Sequence, residues 1–509
     1  MVSTHFDLMG QIDQQRLIVN QIIKPEQRAS YSQFLTPAPI ANYMASLFQP
    51  PSQPSVRLLD AGAGIGSLTA AFVQRFSQQA STQSLTIDAY EIDQLLLPQL
   101  TSTLAACQQF ASNAGIDCQA NIFNHDFIQA ATQKIQLAAW QSINGYSHAI
   151  LNPPYKKIQS SSLSRKLLRS VEIETVNLYS AFLALTIHLL APHGELVAIV
   201  PRSFCNGVYF KPFRSILLKE MMIKQIHSFN SRTAAFKDDQ VLQELIIIHA
   251  IKHEQQANVT ISQTPLNRLS AINQREIPFG QLVKPHDPQQ FIHIPTEIHH
   301  DQAMTLMQQL PCTLADLGLK ASTGPVVDFR LAQYLHDQPN ADTYPLLYPI
   351  HCRSLQVEWP ISTCNKPNAI NKHPDVIKWL YPNNGSYVLI RRFSSKEEVR
   401  RIKATVYHPE IQATDCLAIE NHLNVIHAAK NGLNRQLAQG LMLYLNSTFY
   451  DTCFRQFSGH TQVNVRDLYA LRYPDQQQLI KLGKKLDSHT KPDQLIIDQW
   501  VNEVISHEY

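Results

Sequence analysis

Cysteine is sparse and unpatterned in this 509-residue chain. The eight cysteines, at 107, 118, 205, 312, 352, 364, 416 and 453, never form a Cys-x-x-Cys pair. That argues against a zinc site or a disulfide frame, and the thiols are read as reduced, with no metal bound. Long apolar runs are missing as well: none approaches the ~20 residues needed to span a bilayer, so no membrane association is expected. The N-terminus, Met1-Val2-Ser3-Thr4-His5-Phe6-Asp7, lacks a basic segment followed by an apolar one. No secretory signal is expected, and the location read from this is cytoplasmic. Charge of one sign is also lacking. A net charge of +3 neither proves nor excludes a nucleic-acid partner, because such binding depends on local clusters. What remains, 44% hydrophobic and 16% charged residues, describes an ordinary globular protein. Single cores stop growing near ~250–300 residues, so this length implies more than one domain.

The first half alternates strand and helix patterns. Strands are expected at Val56–Asp60, Leu85–Tyr90, Ala120–Phe123, Ala149–Leu151, Leu196–Val200, Ile223–Phe229 and Val241–Ile251. Helices fall at Ser67–Phe76, Leu178–Leu190 and Phe213–Met221. Such alternation gives an α/β fold, a mostly parallel sheet with helices on both faces. Ligands then bind at the carboxyl ends of the strands, where Asp60, Glu91, Asp126 and Asn152 all stand. Before the first strand, Thr36 suits an N-cap and Pro37 a first helical position, and the loop they sit in is placed to close over a ligand. The expected organisation is a catalytic domain over 1–255, a polar linker or peripheral segment over 256–305, and a second domain over 306–509. The second domain carries short strand-like runs and a basic run, Arg391, Arg392, Lys396, Arg400, Arg401 and Lys403. The alternative reading of that run is a solvated face partly paired with Glu397 and Glu398.

The loop Asp60-Ala61-Gly62-Ala63-Gly64-Ile65-Gly66 has GxGxG spacing. It is neither the GxGxxG of pyrophosphate binders nor a P-loop, which ends in Gly-Lys-Ser/Thr. An acidic residue at the loop entrance repels a pyrophosphate and suits a cation. S-adenosylmethionine, with an ammonium, a sulfonium and no phosphate, matches. Glu91 at the end of the next strand is placed to accept from its ribose hydroxyls. Asp126 is placed to accept from its adenine amine, with Phe127 packed on the ring.

Asn152-Pro153-Pro154-Tyr155 follows the apolar run Ala149-Ile150-Leu151. The prolines lack N–H groups and fix their own φ, so the chain leaves the sheet in a set shape. One reading is a strand-ending turn. The other is a site in which the Asn152 amide, the Pro153 carbonyl and the Tyr155 ring grip a planar group carrying an exocyclic amine.

Together these residues resemble class I, S-adenosylmethionine-dependent DNA adenine-N6 methyltransferases of type II restriction–modification systems. The arrangement is similar to the γ group, with cofactor motifs first and target recognition last, and in length to the PstI/BsuBI-like modification methylases. The resemblance covers Gln33–Pro37, Asp60–Gly66, Glu91, Asp126-Phe127, Asn152–Tyr155 and Ala235-Phe236 with Val241-Leu242-Gln243-Glu244. In the second half, Ser322–Asp328 and Gly459–Asn464 look like that family's recognition domain. The resemblance implies a Rossmann-like seven-stranded sheet followed by a mixed α+β target-recognition domain. It implies a base flipped out of duplex DNA, Asn152 and Pro153 as acceptors for its N6 amine, Pro154 as brace, and Tyr155 and Phe236 as stacking faces. Thr36, Pro37, Asp60, Gly62, Gly64, Glu91, Asp126, Phe127 and Asn152 become the cofactor set. Lys156, Lys157, Arg165, Arg391 and Arg392 become DNA contacts, the alternative for the first three being a plain solvated loop. The implied partners are double-stranded DNA and a restriction endonuclease on a separate chain, with the protein acting as a monomer. No Pro-Asp…(Asp/Glu)-x-Lys nuclease set is present. Methylation of RNA, of a protein glutamine or of cytosine N4 stays open, as does a non-catalytic DNA-binding role.

Overall fold

The computed structural model describes residues 7–23, 34–137, 145–229, 244–264, 272–294, 298–363, 365–394, 398–457, 462–487 and 491–505. The chain divides into two compact units, Met1–Thr296 and Glu297–Tyr509.

The first unit is built on a nine-stranded sheet. Its strands are β1 (Ser55–Ala61), β2 (Ser84–Tyr90), β3 (Asp117–Phe123), β4 (Tyr146–Leu151), β5 (Leu190–Pro201), β6 (Met221–Phe229), β7 (Leu245–Lys252), β8 (Val259–Thr264) and β9 (Asn273–Ile277). They lie in the order β3-β2-β1-β4-β5-β7-β6-β8-β9. From β3 to β5 all neighbours are parallel, and β7 is antiparallel to both β5 and β6. The order turns back between β1 and β4, and in such sheets the ligand crevice opens at that switch, beyond the strands' carboxyl ends.

The inner strands β1, β4, β5 and β7 are buried on both faces, as strands covered on either side by helices must be. Leu58, Ile87, Ile150, Val197 and Ile199 pack on one side, under helices α1 (Leu8–Ile22), α2 (Ala38–Ser46), α3 (Ser67–Phe76) and α4 (Leu97–Asn113). Leu59, Ala149, Leu151, Leu196 and Ala198 pack on the other, under α5 (Phe127–Gln136), α6 (Leu163–Ser170), α7 (Leu178–Leu189) and α8 (Lys211–Glu220). The seven expected strands are therefore present, with two more beyond them. Residues 256–305 were expected to be linker or peripheral structure. Instead β8 pairs parallel with β6, and β9 antiparallel with β8, so this stretch completes the sheet's edge and the first unit runs well past residue 255. The alternation Val259-Thr260-Ile261-Ser262 puts apolar side chains on one face and hydroxyls on the other, where Ser262 is buried against His227.

Thr36 does not cap α2. Pro37 holds the cap position, and the first free N–H, that of Ala38, is taken by the Asp13 carboxylate of α1 at 3.0 Å.

The second unit holds a six-stranded and a five-stranded sheet with mixed pairing, and a helical layer that includes Arg435–Leu445 and Gln476–Lys484. Its apolar clusters are its own. Among the described residues no helix is long and apolar enough to cross a membrane.

Candidate active site

The turn after β1 is pinned from two sides. The N–H groups of Gly62 and Ala63 both donate to the Tyr90 carbonyl at 2.9 Å, and the Gly64 N–H donates to Glu91 Oε2 at 2.8 Å. Gly64 has φ +59°, and a Cβ there would meet Leu35 Cδ2 at 3.1 Å. Gly66, at φ +86°, leads into α3 against Thr103, which a Cβ would meet at 2.9 Å. Both positions therefore need glycine on two counts, the left-handed backbone and the space.

Asp60 lies fully buried beneath this turn. Its Oδ2 accepts from Thr69 Oγ1 at 2.7 Å, while Oδ1 has no hydrogen-bond partner among the described residues. Burial pushes the carboxyl up to about 7, opposed by the Thr69 hydrogen bond and reinforced by the nearby Glu91 charge. Glu91 is also pushed up to about 7, chiefly by burial, although the N–H groups of Asp93, at 2.7 Å, and Gly64 favour its charged form and oppose the rise. Two carboxyls crowded in a dry place, one with a bare oxygen, form a site that gains from a cation.

A cavity of about 260 Å³ opens beside them. Gly62, Gly64, Glu91, Asp126, Phe127, Asn152, Pro154 and Lys156 all line it, so most of the expected set converges on one volume. Asp126 doubles as the N-cap of α5, its Oδ1 accepting from the N–H groups of Ile128 and Gln129 at 2.8 and 3.3 Å. Phe127 is held at the wall by Tyr90 and Phe182, at ring separations of 5.2 and 5.0 Å. Thr36, Pro37, Asp60, Pro153 and Tyr155 are not part of the lining.

The lining also includes Phe34, Tyr90, His125 and Phe182, which the sequence reading did not single out. Phe34 sits inside the quoted Gln33–Pro37 segment and His125 beside Asp126, so position alone pointed near them. Phe182 lies on α7, which is buried nearly all round and gives no facial signal.

Asn152 is anchored by both protons of its amide. Nδ2 donates to the Phe34 carbonyl at 2.7 Å and to Thr36 Oγ1 at 3.1 Å. A carbonyl only accepts, so this contact fixes which amide atom is nitrogen. Oδ1 therefore points the other way, where it accepts from the Tyr155 hydroxyl at 2.7 Å and keeps a second lone pair. The same hydroxyl lies 3.2 Å from the Ile199 carbonyl. The Tyr155 ring stacks on Phe34 at 5.6 Å and 25°, with Tyr179 edge-on at 6.3 Å.

Some expected contacts sit elsewhere. Arg165 is 8% exposed and bound to Glu174, which also takes Arg169 Nε at 2.9 Å. Its guanidinium is thus committed inside the protein and is not offered to a phosphate, a correction the isolated sequence position did not signal. Lys156 and Lys157 are exposed. Arg391 and Arg392 are half-buried in the second unit, donating to the carbonyls of Pro349 and Asn421 at 3.3 and 3.2 Å. Within the basic run, Arg401 is buried against Phe454 and belongs to the core, while Lys403 pairs with Glu398. Phe236, like Val241–Gln243, lies outside the described residues.

Comparison with known proteins decides the family. The chain is 43% identical to the Type II methyltransferase M.BsuBI of Bacillus subtilis, over 98% of this chain and 99% of that one. It belongs to the type II methyltransferases of restriction–modification systems. M.PstI of Providencia stuartii is 41% identical over 95% of this chain and 96% of its own length. The Eco57I restriction-modification methylase model matches residues 64–236, which run from the glycine turn past β6. Among solved structures, a nuclease-deletion mutant of the Type ISP restriction-modification enzyme LlaGI, in complex with a DNA substrate mimic, superposes with a TM-score of 0.51 at 12% identity. That match covers 93% of this chain and 56% of that one and shows a shared fold. The fold of this methyltransferase is thus the class I, Rossmann-like one, as the strand order indicates.

Proposed function

We propose that this methyltransferase transfers a methyl group from S-adenosylmethionine to adenine N6 of a flipped-out base in duplex DNA. What carries the reading is convergence: Asn152 and Pro154 line the same cavity as the glycine turn, Glu91 and Asp126. An amide acceptor for an amine and a set of acceptors for a cationic nucleoside thus share one volume. The residues fit the cofactor, since the bare Asp60 Oδ1 and the raised carboxyls call for positive charge. When bound, the cofactor supplies an activated methyl group.

The protein's part is to make a poor nucleophile usable. The N6 lone pair is delocalised into the adenine ring. The free lone pair of Asn152 Oδ1 and the Pro153 carbonyl each accept one N6–H, which draws the nitrogen towards a tetrahedral shape and localises its lone pair. The acceptors are fixed before the substrate arrives, so little reorganisation accompanies reaction. The Phe34 ring supplies the aromatic wall, backed by the Tyr155 ring stacked on it. Adenine is favoured over cytosine N4 by the aromatic at 155 and by the family resemblance, since the acceptors suit either amine. Lys156 and Lys157 serve phosphates beside the flipped nucleotide. In this reading the enzyme acts as a cytoplasmic monomer and protects host DNA from a restriction endonuclease on a separate chain.

Methyl-labelled cofactor and duplex DNA test this directly. Label is expected in N6-methyladenine after digestion. Asn152→Ala is expected to lower transfer by about 100-fold or more, with cofactor binding retained. Full activity in that variant, or label on cytosine, RNA or protein alone, overturns the assignment.

A further inference from the structure

Several connections of the second unit meet on one face. The Asn421 N–H donates to the Val326 carbonyl at 2.9 Å, and the Arg392 N–H to the His422 carbonyl at 3.0 Å. Lys366 Nζ lies 3.1 Å from Asp328 Oδ2 and 5.1 Å from the centre of the Tyr348 ring. Arg391 reaches the Pro349 carbonyl, and the Phe393 ring rests 5.2 Å from that of His422.

These contacts gather large apolar side chains into solvent. Phe329 is 75% exposed, Phe393 47% and Ile350 36%. Each phenylalanine has an arginine over its ring, Arg330 at 5.6 Å and Arg392 at 5.9 Å. The acids nearby are already engaged: Asp328 by Lys366, and the buried Glu420 by His422. The face therefore presents apolar rings set among cations. Monomeric proteins seldom leave such a patch without a partner.

We propose that this face is where the protein reads its DNA sequence. Arg330 and Lys366 bind backbone phosphates, while Phe329 and Phe393 meet the base edges between them, against thymine methyl groups or an opened base step. The chemistry of a duplex groove fits: two rows of anions flank a strip of apolar base surface. An acidic protein would match the cations but offers no matching strip for the two rings. This rests on the reading of the chain as a DNA methyltransferase and adds the residues that discriminate among sequences.

The experiment uses the full chain and two independent readouts. One is binding to sheared genomic duplex DNA across a salt titration. The other is sequencing of the DNA that the enzyme has methylated. Arg330→Ala and Lys366→Ala are each expected to weaken binding to all sequences and to reduce the slope of log affinity against log salt by roughly 1. Phe329→Ala and Phe393→Ala are expected to relax the methylated sequence, with about five-fold or greater loss of discrimination at one position. Leu495→Ala, 80% exposed in the same unit, serves as control and is expected to change neither. All these side chains are exposed, so unchanged melting temperatures are expected alongside.

If the wild type binds and methylates DNA but the four variants behave like the control, the reading surface lies elsewhere and the proposal falls while the function stands. If the variants lose binding yet the wild type transfers no methyl group, the surface stands and the function falls. A wild type that neither binds nor methylates duplex DNA overturns both.

Discussion

Asn152 donates both amide protons to the segment before α2, and this contact predicts a positioning role for Thr36. Replacing Thr36 with Val removes one acceptor from a half-buried amide, a loss of about 1–3 kcal/mol where no water substitutes. The expected outcome is roughly ten-fold lower kcat with little change in the cofactor KM, and recovery with Thr36→Ser. Steady-state kinetics check this, and a rise in cofactor KM with kcat intact would return Thr36 to the cofactor set. The carboxyls give a second prediction. Asp60 and Glu91 are raised in the ligand-free fold to about 7, from ordinary values near ~4. A carboxyl raised in the folded state holds its proton more tightly folded than unfolded. The ligand-free protein therefore loses stability as pH rises from about 4 to about 7. A cationic ligand favours the charged carboxylates, so its binding releases protons and tightens as pH rises towards 7. Calorimetry between pH 5.5 and 7.5, in buffers of different ionisation heat, is expected to show affinity rising up to about ten-fold per pH unit per coupled carboxyl. A flat profile would mean that neither group faces the cation.

At the scale of elements, the second unit relies on a contact that no local pattern announces. Helices Arg435–Leu445 and Gln476–Lys484 touch backbone to backbone: a Cβ at Gly440 would sit 1.8 Å from the Leu479 carbonyl oxygen, and one at Gly483 1.9 Å from that of Gln436. Gly440→Ala must push the helices apart, at a cost near the upper end of the ~1–3 kcal/mol typical of overpacking. A fall of several degrees in Tm is expected by calorimetry. Gly280→Ala, where a Cβ meets nothing within 4 Å, is expected to leave Tm unchanged. The inner strands of the first unit were legible because buried strands are continuous apolar runs bounded by turns. β9, with residues such as Asn273, Gln274 and Glu276 mostly facing water, carries no such run. Helix α1 was missed for a related reason: its apolar residues are split between a buried face and the exposed Leu17, Ile18 and Ile22. With it went Asp13, the true cap of α2.

At the scale of the molecule, legibility followed chemistry more than distance. Asp60, Glu91, Asp126 and Asn152 stood out because each lies at or just beyond the end of a strand, and the topology brings strand ends together. The Tyr155 hydroxyl on Asn152 Oδ1 and the Arg165–Glu174 pair depend on rotamers and on packing between elements, which spacing does not encode. The proposed recognition surface was hidden for the same reason, since Lys366 reaches Asp328, and the turn at 421–422 bonds to both Val326 and Arg392, only once the second unit folds. The apolar clusters predict how the labour divides. Those of residues up to 294 close on themselves, as do those from 307 onward. Residues 1–296 expressed alone are expected to unfold cooperatively and to bind S-adenosylmethionine within a few-fold of the full chain's affinity. Without the reading surface, methyl transfer to duplex DNA is expected to fall steeply and to lose sequence preference. Cofactor titration, with sequencing of the residual methylation, checks both halves of this outcome. A fragment that kept the full chain's sequence preference would move recognition into the first unit.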